Sequence, residues 1–321
     1  MINMAPLIPW LQARKLRYME NAPLAPSTTL RIGGPAALLV EWPESAEAGQ
    51  ALLALLGEKR IPCRVLGAGS NLLIDDAPFN GIVLQVKTLQ PPLFDEDGVT
   101  APAGFPLPNL ASLAAAEGLA GLEALAGVPG TVGGAAVMNA GCWGMEVKDV
   151  FAWAEIVDAQ GVRRVGLHDA DFSYRHSLFQ ADPDADVTAP PALVRRVRFI
   201  LRREHPQQVR QRLLEWQHQR ETAQPIHSRT AGSTWTNPPG KQAWKLLEAC
   251  GLRGHSIGGI QLSDKHCNFL INTGGATFAD TVNLLEEAER RVHAQFGIAL
   301  QREIKLWPAV LNSGKAAAHV S

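Results

Sequence analysis

Apolar residues come in short runs over most of this chain and in one long helical stripe near its end. The runs 37–42, 64–67, 72–74 and 82–86 are bounded by Gly, Asp and Pro, which predicts strands. Residues 44–59 predict a helix with Leu52, Leu55 and Leu56 on one face, and 109–117 a second helix stopped by Gly118. Residues 154–158 and 162–167 predict a hairpin about Gln160-Gly161. Val197, Phe199 and Leu201 alternate with arginines, the pattern of a half-buried strand. Further on, 207–219 is a polar helix with Val209, Leu213 and Trp216 as its apolar stripe, and 241–250 is a helix ended by Gly251. Residues 257–262 and 268–272 predict strands. The clearest helix is 280–296, with Leu284, Leu285, Ala288, Val292 and Phe296 facing a core and Gly297 stopping it. A final strand is expected at 300–306. No repeat recurs, and the mixture of short strands and helices without regular β-α-β alternation predicts an α+β fold.

These elements divide the chain into a leader at 1–27, a glycine-punctuated unit at 28–204, a second unit at 205–308, and a disordered tail at 309–321. The 321 residues are 46% hydrophobic and 19% charged, ordinary globular composition. The net charge is −1 and no like-charge block reaches five residues, which gives no footprint for nucleic acid or a membrane surface. Any anionic ligand must then be held by a few placed cations and backbone N–H groups. Cys63, Cys142, Cys250 and Cys267 form no C-x-x-C pair and no zinc spacing, so no metal is expected and the thiols read as reduced. Pro6 and Pro9 break the early apolar residues, no signal-peptide run follows a basic start, and no stretch approaches ~20 apolar residues. The expectation is a cytoplasmic protein, monomeric or weakly oligomeric.

Two glycine-rich segments stand out. Gly67-Ala68-Gly69-Ser70-Asn71 joins two predicted strands, where free N–H groups can bind phosphate oxygens. It is not the Rossmann fingerprint, since Leu72 stands where the third glycine belongs and a strand follows. Pro129-Gly130-Thr131-Val132-Gly133-Gly134 runs on to Asn139-Ala140-Gly141 through very small residues. Each segment alone is no more than a tight turn, but two in one unit point to a cofactor carrying a diphosphate.

With Thr-Leu-Arg-Ile-Gly-Gly-Pro-Ala (29–36), Tyr-Arg-His-Ser (174–177), Ala-Gly-Ser-Thr-Trp-Thr-Asn-Pro (231–238), Ser-Asp-Lys-His-Cys-Asn-Phe (263–269) and Arg-Glu-Ile (302–304), these loops form an ordered set over residues 28–306. The set resembles the UDP-N-acetylenolpyruvoylglucosamine reductase family. The resemblance implies an FAD-binding domain of the vanillyl-alcohol-oxidase (PCMH) type made of two subdomains, followed by a domain for the UDP-sugar. It implies non-covalent FAD, with Gly67, Ala68, Gly69, Ser70, Asn71, Gly130, Thr131, Gly133, Gly134, Asn139 and Gly141 at the cofactor; no histidine or cysteine in 67–71 offers a covalent anchor. NADPH is the implied reductant, and UDP-N-acetylglucosamine enolpyruvate the implied substrate in peptidoglycan precursor synthesis.

The same resemblance implies roles for three groups. Arg175 stabilises charge on the substrate carboxylate, for which a guanidinium that never deprotonates is suited. Its plain alternative is a surface arginine paired with Asp169 or Asp171. Glu303 helps an anion only if burial keeps it protonated; otherwise it is a strand glutamate facing Arg302 or Lys305. Ser233 donates the proton to C2, or else is a turn or cap serine. Tyr174, Arg220 and Asn237 are placed with the substrate. The chain departs from the family twice. It lacks the tyrosine loop of the longer form, its only tyrosines being Tyr18 and Tyr174. The family's Arg-x-x-Lys reads Arg220-Glu221-Thr222-Ala223, so the diphosphate loses a lysine, and Arg229 is the expected substitute ahead of Lys241. Two other functions remain open on these residues: a flavin oxidase of alcohols or sugars on the same scaffold, and a non-catalytic flavin or UDP-sugar binding protein.

Overall fold

The computed structural model describes residues 4, 7–181 and 186–308. The tail expected at 309–321 lies outside the described residues, as do 1–3, 5–6 and 182–185. The first layer is a four-stranded sheet of β1 (Tyr18–Pro23), β2 (Pro35–Glu41), β3 (Cys63–Leu66) and β5 (Phe79–Gln85), ordered β1-β2-β5-β3. β2, β5 and β3 run parallel, which requires a crossover. Helix α2 (Ala46–Glu58) supplies it, started by Ser45, whose hydroxyl accepts from the Ala48 N–H, and burying Leu52, Leu53 and Leu56. Residues expected to form a leader contribute regular elements here. Helix α1 (Leu7–Ala13) buries Leu7 and Leu11, and β1 pairs antiparallel with β2 from Tyr18–Val40 to Pro23–Pro35.

The second layer is a five-stranded antiparallel sheet of β6 (Leu93–Asp95), β7 (Gly98–Pro102), β11 (Phe151–Asp158), β12 (Gly161–Gly166) and β13 (Leu193–Ile200), ordered β12-β11-β13-β7-β6. Helices α3 (Leu107–Ala116), α4 (Val132–Val137) and α5 (Pro206–Ala223) pack with it, and two short ladders, β8 (Leu119–Ala120) with β14 (Arg202–Arg203) and β9 (Gly141–Cys142) with β10 (Met145–Glu146), bind its loops. One continuous core joins the two sheets, running from Leu38 and Ile82 to Val99, Val197 and Leu213. α5 is part of that core through Val209 and Leu213, although the sequence division at 205 assigns it to the second unit.

The remaining unit holds a three-stranded sheet of β15 (Ser256–Ile257), β16 (Ile260–Leu262) and β17 (Leu270–Asn272) under α6 (Ala243–Ala249) and α7 (Phe278–Phe296). The run 257–262, expected as one strand, is two, because Gly258 turns the chain with a φ of 53°. α7 starts with a reciprocal cap between Thr277 and Asp280 and ends at left-handed Gly297. Leu284, Leu285, Ala288 and Val292 are buried as expected, but Phe296 is 37% exposed, lying at the last turn beyond the core. This second core also takes in Leu30, Ile32 and Leu73 from the first 75 residues. The two units are further joined by β4 (Leu72–Ile74), which pairs parallel with β18 (Lys305–Trp307). The strand expected at 300–306 is thus shorter and later; Arg302 makes only a single bridge, to Trp235.

Candidate active site

The two glycine segments meet. Ser70 donates its hydroxyl proton to the Pro129 carbonyl at 2.9 Å, and a Cβ on Gly67 would lie 2.9 Å from the Thr131 hydroxyl. Gly69 has a φ of 64°, and its carbonyl accepts from the Thr29 N–H at 3.1 Å. Among the described residues the N–H groups of Gly67, Ala68, Gly69 and Ser70 have no protein partner. A run of unpaired donors in a glycine-rich turn fits the diphosphate of a dinucleotide cofactor. The second segment is occupied differently. Thr131 caps α4 by accepting from the Gly134 N–H, while the Val132 and Gly133 N–H groups donate to the Phe105 and Ala103 carbonyls. Gly133 and Gly134 therefore shape the wall with their backbone donors already used.

Asn139 is fully buried and commits its whole amide to protein. Its NH2 group donates to Glu146 and to the Ser173 carbonyl, and its oxygen accepts from the Lys148 N–H. Of the residues expected at the cofactor, it acts here as the post that holds the 173–176 turn. In that turn Ser173 and His176 exchange both backbone bonds, and Arg175 sits at a φ of 58°, where a non-glycine residue is strained. The strain aims the guanidinium inward. Its Nε donates to Glu303 Oε1 at 2.8 Å and Nη2 to the Gly141 carbonyl at 3.0 Å, with Glu146 3.7 Å from Nη1. Gly141 cannot carry a side chain, since a Cβ there would lie 2.6 Å from the Met145 carbonyl and 3.2 Å from Arg175 Nη1. Tyr174 is exposed, with the Arg175 guanidinium 4.9 Å from its ring centre. Neither Asp169 nor Asp171 takes Arg175; they pair instead with His168 and His176.

Glu303 reaches Arg175 from the far end of the chain. Burial pushes its carboxyl above the usual range, while the Arg175 charge and hydrogen bond, and Lys305, pull it back. Its carbonyl accepts from Asn71 Nδ2 at 3.2 Å, and its N–H donates to the Thr234 carbonyl at 2.8 Å. Ser233 precedes that residue, is half-buried and bridges to Phe269; Gly232 lies against Ser70, 3.9 Å from a built Cβ to the carbonyl. The first glycine segment, Arg175, Ser233 and Glu303 are therefore brought to one place.

Three residues expected to meet the substrate are held in different ways. Arg220 is 8% exposed, and among the described residues its guanidinium donates only to Cys142 Sγ, 3.5 Å from Nη1; its Nε is buried without an acceptor. Burial makes this guanidinium easier to deprotonate than an exposed one, a cost that an anion alongside would offset. Asn237 is exposed, and its oxygen accepts from the Ala243 N–H at the start of α6, which leaves its NH2 group for a ligand. Arg229 is exposed, with no ion-pair partner among the described residues. Three contributors were missed. Glu146 and Gln180 brace Arg175, the latter by donating to its carbonyl at 2.7 Å while accepting from Lys305, and neither belongs to a motif. Lys265, inside the 263–269 motif, donates to the Glu221 carbonyl at the end of α5, two residues from Ala223. No cluster of potential metal ligands occurs among the described residues.

Residues 37–166 match the model of an FAD binding domain. With the unpaired donors at 67–70, this makes the chain a flavoprotein whose second unit faces the cofactor loop. Residues 224–307 match the UDP-N-acetylenolpyruvoylglucosamine reductase C-terminal domain. A UDP-N-acetylenolpyruvoylglucosamine reductase of Rhodopseudomonas palustris (strain HaA2) is 45% identical over 90% of this chain and 91% of its own length. One from Anaeromyxobacter dehalogenans (strain 2CP-C) is 41% identical over 92% and 87%. The crystal structure of UDP-N-acetylenolpyruvylglucosamine reductase from Thermus caldophilus superposes with a TM-score of 0.74 at 33% identity, covering 91% of this chain and 99% of that one. The chain belongs to the UDP-N-acetylenolpyruvoylglucosamine reductase family.

Proposed function

We propose that this enzyme reduces UDP-N-acetylglucosamine enolpyruvate to UDP-N-acetylmuramate with NADPH, for peptidoglycan synthesis, and does so in the cytoplasm as a monomer or weak oligomer. No helix among the described residues is long and apolar enough to cross a membrane. The observation that carries the residue assignment is the Arg175–Glu303 contact made beside Asn71 and Thr234, which puts a cation and a buried carboxyl where the cofactor loop meets the serine segment.

FAD, when bound along 67–71 and 129–141, supplies the hydride that adds to C3 of the enolpyruvyl group. The chain handles the charge and the proton. Addition at C3 drives negative charge into the substrate carboxylate, and Arg175 is placed to stabilise it more in the transition state than in the ground state. A carboxylate on Arg175 is also a like charge for Glu303. It reinforces the effect of burial and favours a protonated Glu303, which then donates a hydrogen bond to the developing anion. Ser233 delivers its hydroxyl proton to C2, completing the net addition of hydride and proton across the double bond. Arg220 and Arg229 are assigned to the diphosphate, Tyr174 and the Asn237 amide to orienting the sugar. An oxidase on this scaffold would have no use for a proton donor paired with a protonated carboxyl.

The test separates the half-reactions. In Ser233→Ala, reduction of bound flavin by NADPH should continue at nearly the normal rate, while reoxidation by the enolpyruvyl substrate should fall by roughly 10²–10⁴-fold, the usual cost of removing a positioned acid. Stopped-flow absorbance at the flavin band reads both. Unimpaired reoxidation would remove Ser233 from the role.

A further inference from the structure

One half-buried carboxylate has no part in the chemistry above, yet it binds a near neighbour in sequence of each half of the acid pair. Glu289 lies on α7, with about a quarter of its side chain exposed. Its Oε1 accepts from Trp235 Nε1 at 2.9 Å and from Arg302 Nε at 2.6 Å, and its Oε2 accepts from Arg302 Nη2 at 2.8 Å. Trp235 is two residues beyond Ser233, and Arg302 immediately precedes Glu303. The two segments are paired to each other as well. Trp235 bridges Arg302, the Thr236 N–H donates to the Gln301 carbonyl at 2.9 Å, and the Glu303 N–H donates to the Thr234 carbonyl. In such an extended pair, neighbouring side chains point to opposite sides. Arg302 turns to Glu289, and Glu303 turns to Arg175.

We infer that Glu289 is a positioning residue that fixes the distance between the Ser233 donor and the Glu303 carboxyl. A bidentate carboxylate–guanidinium pair sets an angle as well as a contact. The same carboxylate grips an indole that is 1% exposed and cannot shift independently. Trp235 is also bonded on its backbone, its N–H donating to Asn268 Oδ1 and its carbonyl accepting from Asn268 Nδ2. The serine segment is thus anchored from two sides, while the glutamate segment is anchored to it through Arg302. Without Glu289, the 301–304 segment keeps its backbone bonds to 234–236 but loses the side-chain lock that sets their register on the α7 side.

The inference rests on the assignment of Ser233 and Glu303 as the acid pair. The experiment therefore runs Glu289→Gln, Arg302→Gln, the double variant and Ser233→Ala side by side, as FAD-loaded enzyme. Glutamine keeps one acceptor for Trp235 and abolishes the ionic fork. In Glu289→Gln, reoxidation at saturating substrate should slow by about 10–100-fold, the scale of a sub-ångström to 1 Å misplacement. Flavin reduction by NADPH should stay within about twofold, and the KM for the UDP-sugar should move less than kcat. Because Glu289 acts through Arg302, the double variant should be no slower than either single one. A purely structural glutamate would lower the melting temperature and leave both half-reactions of the folded, flavin-loaded enzyme unchanged, and that result overturns the inference. Additive losses in the double variant also overturn it. If Ser233→Ala itself reoxidises normally, the acid-pair assignment fails instead, whatever Glu289→Gln does.

Discussion

Replacing Gly69 by alanine should weaken FAD binding far more than its backbone conformation alone requires. Gly69 has a φ of 64°, and an added Cβ would lie 2.3 Å from the Ser27 carbonyl oxygen and 2.8 Å from Thr28 Cα. Both are backbone atoms, so no rotamer change relieves the overlap. Reaching even a 3.0 Å contact means moving the loop or the 27–28 segment by about 0.7 Å. Thr28 resists, because its hydroxyl bonds the Ala25 and Ile32 carbonyls, and Thr29 is tied to the Gly69 carbonyl itself. The left-handed conformation costs alanine about 1 kcal/mol relative to glycine, and overpacking against fixed backbone costs about 1–3 kcal/mol more. Carried into cofactor binding, about 2–4 kcal/mol is roughly a 30- to 700-fold loss of affinity. Gly297 is the control. Its φ is 67°, nothing lies within 4 Å of a built Cβ, and it sits at the end of α7. Gly297→Ala should lose about 1 kcal/mol of stability and no FAD affinity. Titration of apoprotein with FAD, followed by quenching of flavin fluorescence, reads affinity, and calorimetry of the apoproteins reads stability. If Gly69→Ala and Gly297→Ala behave alike in both assays, the close approach of the 67–71 loop to 27–28 does not shape the cofactor site.

In the proposed mechanism Glu303 acts when protonated, and burial raises its pKa, so the reoxidation rate should fall as pH rises through that raised value; Glu303→Gln should be slower throughout but lack this alkaline limb in a stopped-flow pH profile. Arg229→Ala should raise the KM for the UDP-sugar about tenfold at low salt, where screening is weak, and Ala223→Lys should recover part of the loss. Lys265→Ala should matter less, since its ammonium already serves the Glu221 carbonyl; an unchanged KM in Arg229→Ala would refute the assignment. Acid precipitation should release all the flavin to the supernatant as FAD, and colour kept in the pellet would contradict non-covalent binding.

Helix α7 and strand β4 were legible because each carries a complete local signal: a capped 3.6-residue stripe in one, a short apolar run between glycine and aspartate in the other. α4 was not, because Val-Gly-Gly-Ala-Ala-Val has poor helix propensity and forms a turn and a half only with the Thr131 cap and packing on Ala103. The allegiance of α5 was hidden for a related reason. Val209 and Leu213 announce a buried face but not which core buries it. Motif order is what singles out Arg175, Ser233 and Glu303 as candidates; nothing in their spacing tells that Arg175 and Glu303, 128 residues apart, touch. Glu146, Gln180 and Glu289 belong to no motif, and a carboxylate or amide that braces another side chain looks in sequence like any solvated one.

The β4–β18 ladder bears on how the molecule comes into being. Asn71 and Glu303, at the heads of these strands, are 232 residues apart, so this closure is among the most non-local in the chain. Such contacts form late, after the entropy of closing a long loop has been met. A nascent chain still short of residue 303 has all the strands of the four-stranded sheet, yet its flavin loop has no Lys305 N–H on the Asn71 carbonyl and no Glu303 carbonyl under the Asn71 amide. The Glu303 carboxyl thus arrives two residues ahead of the strand that fixes the loop, and a polypeptide arrested before residue 303 would lack that carboxyl as well as the clasp.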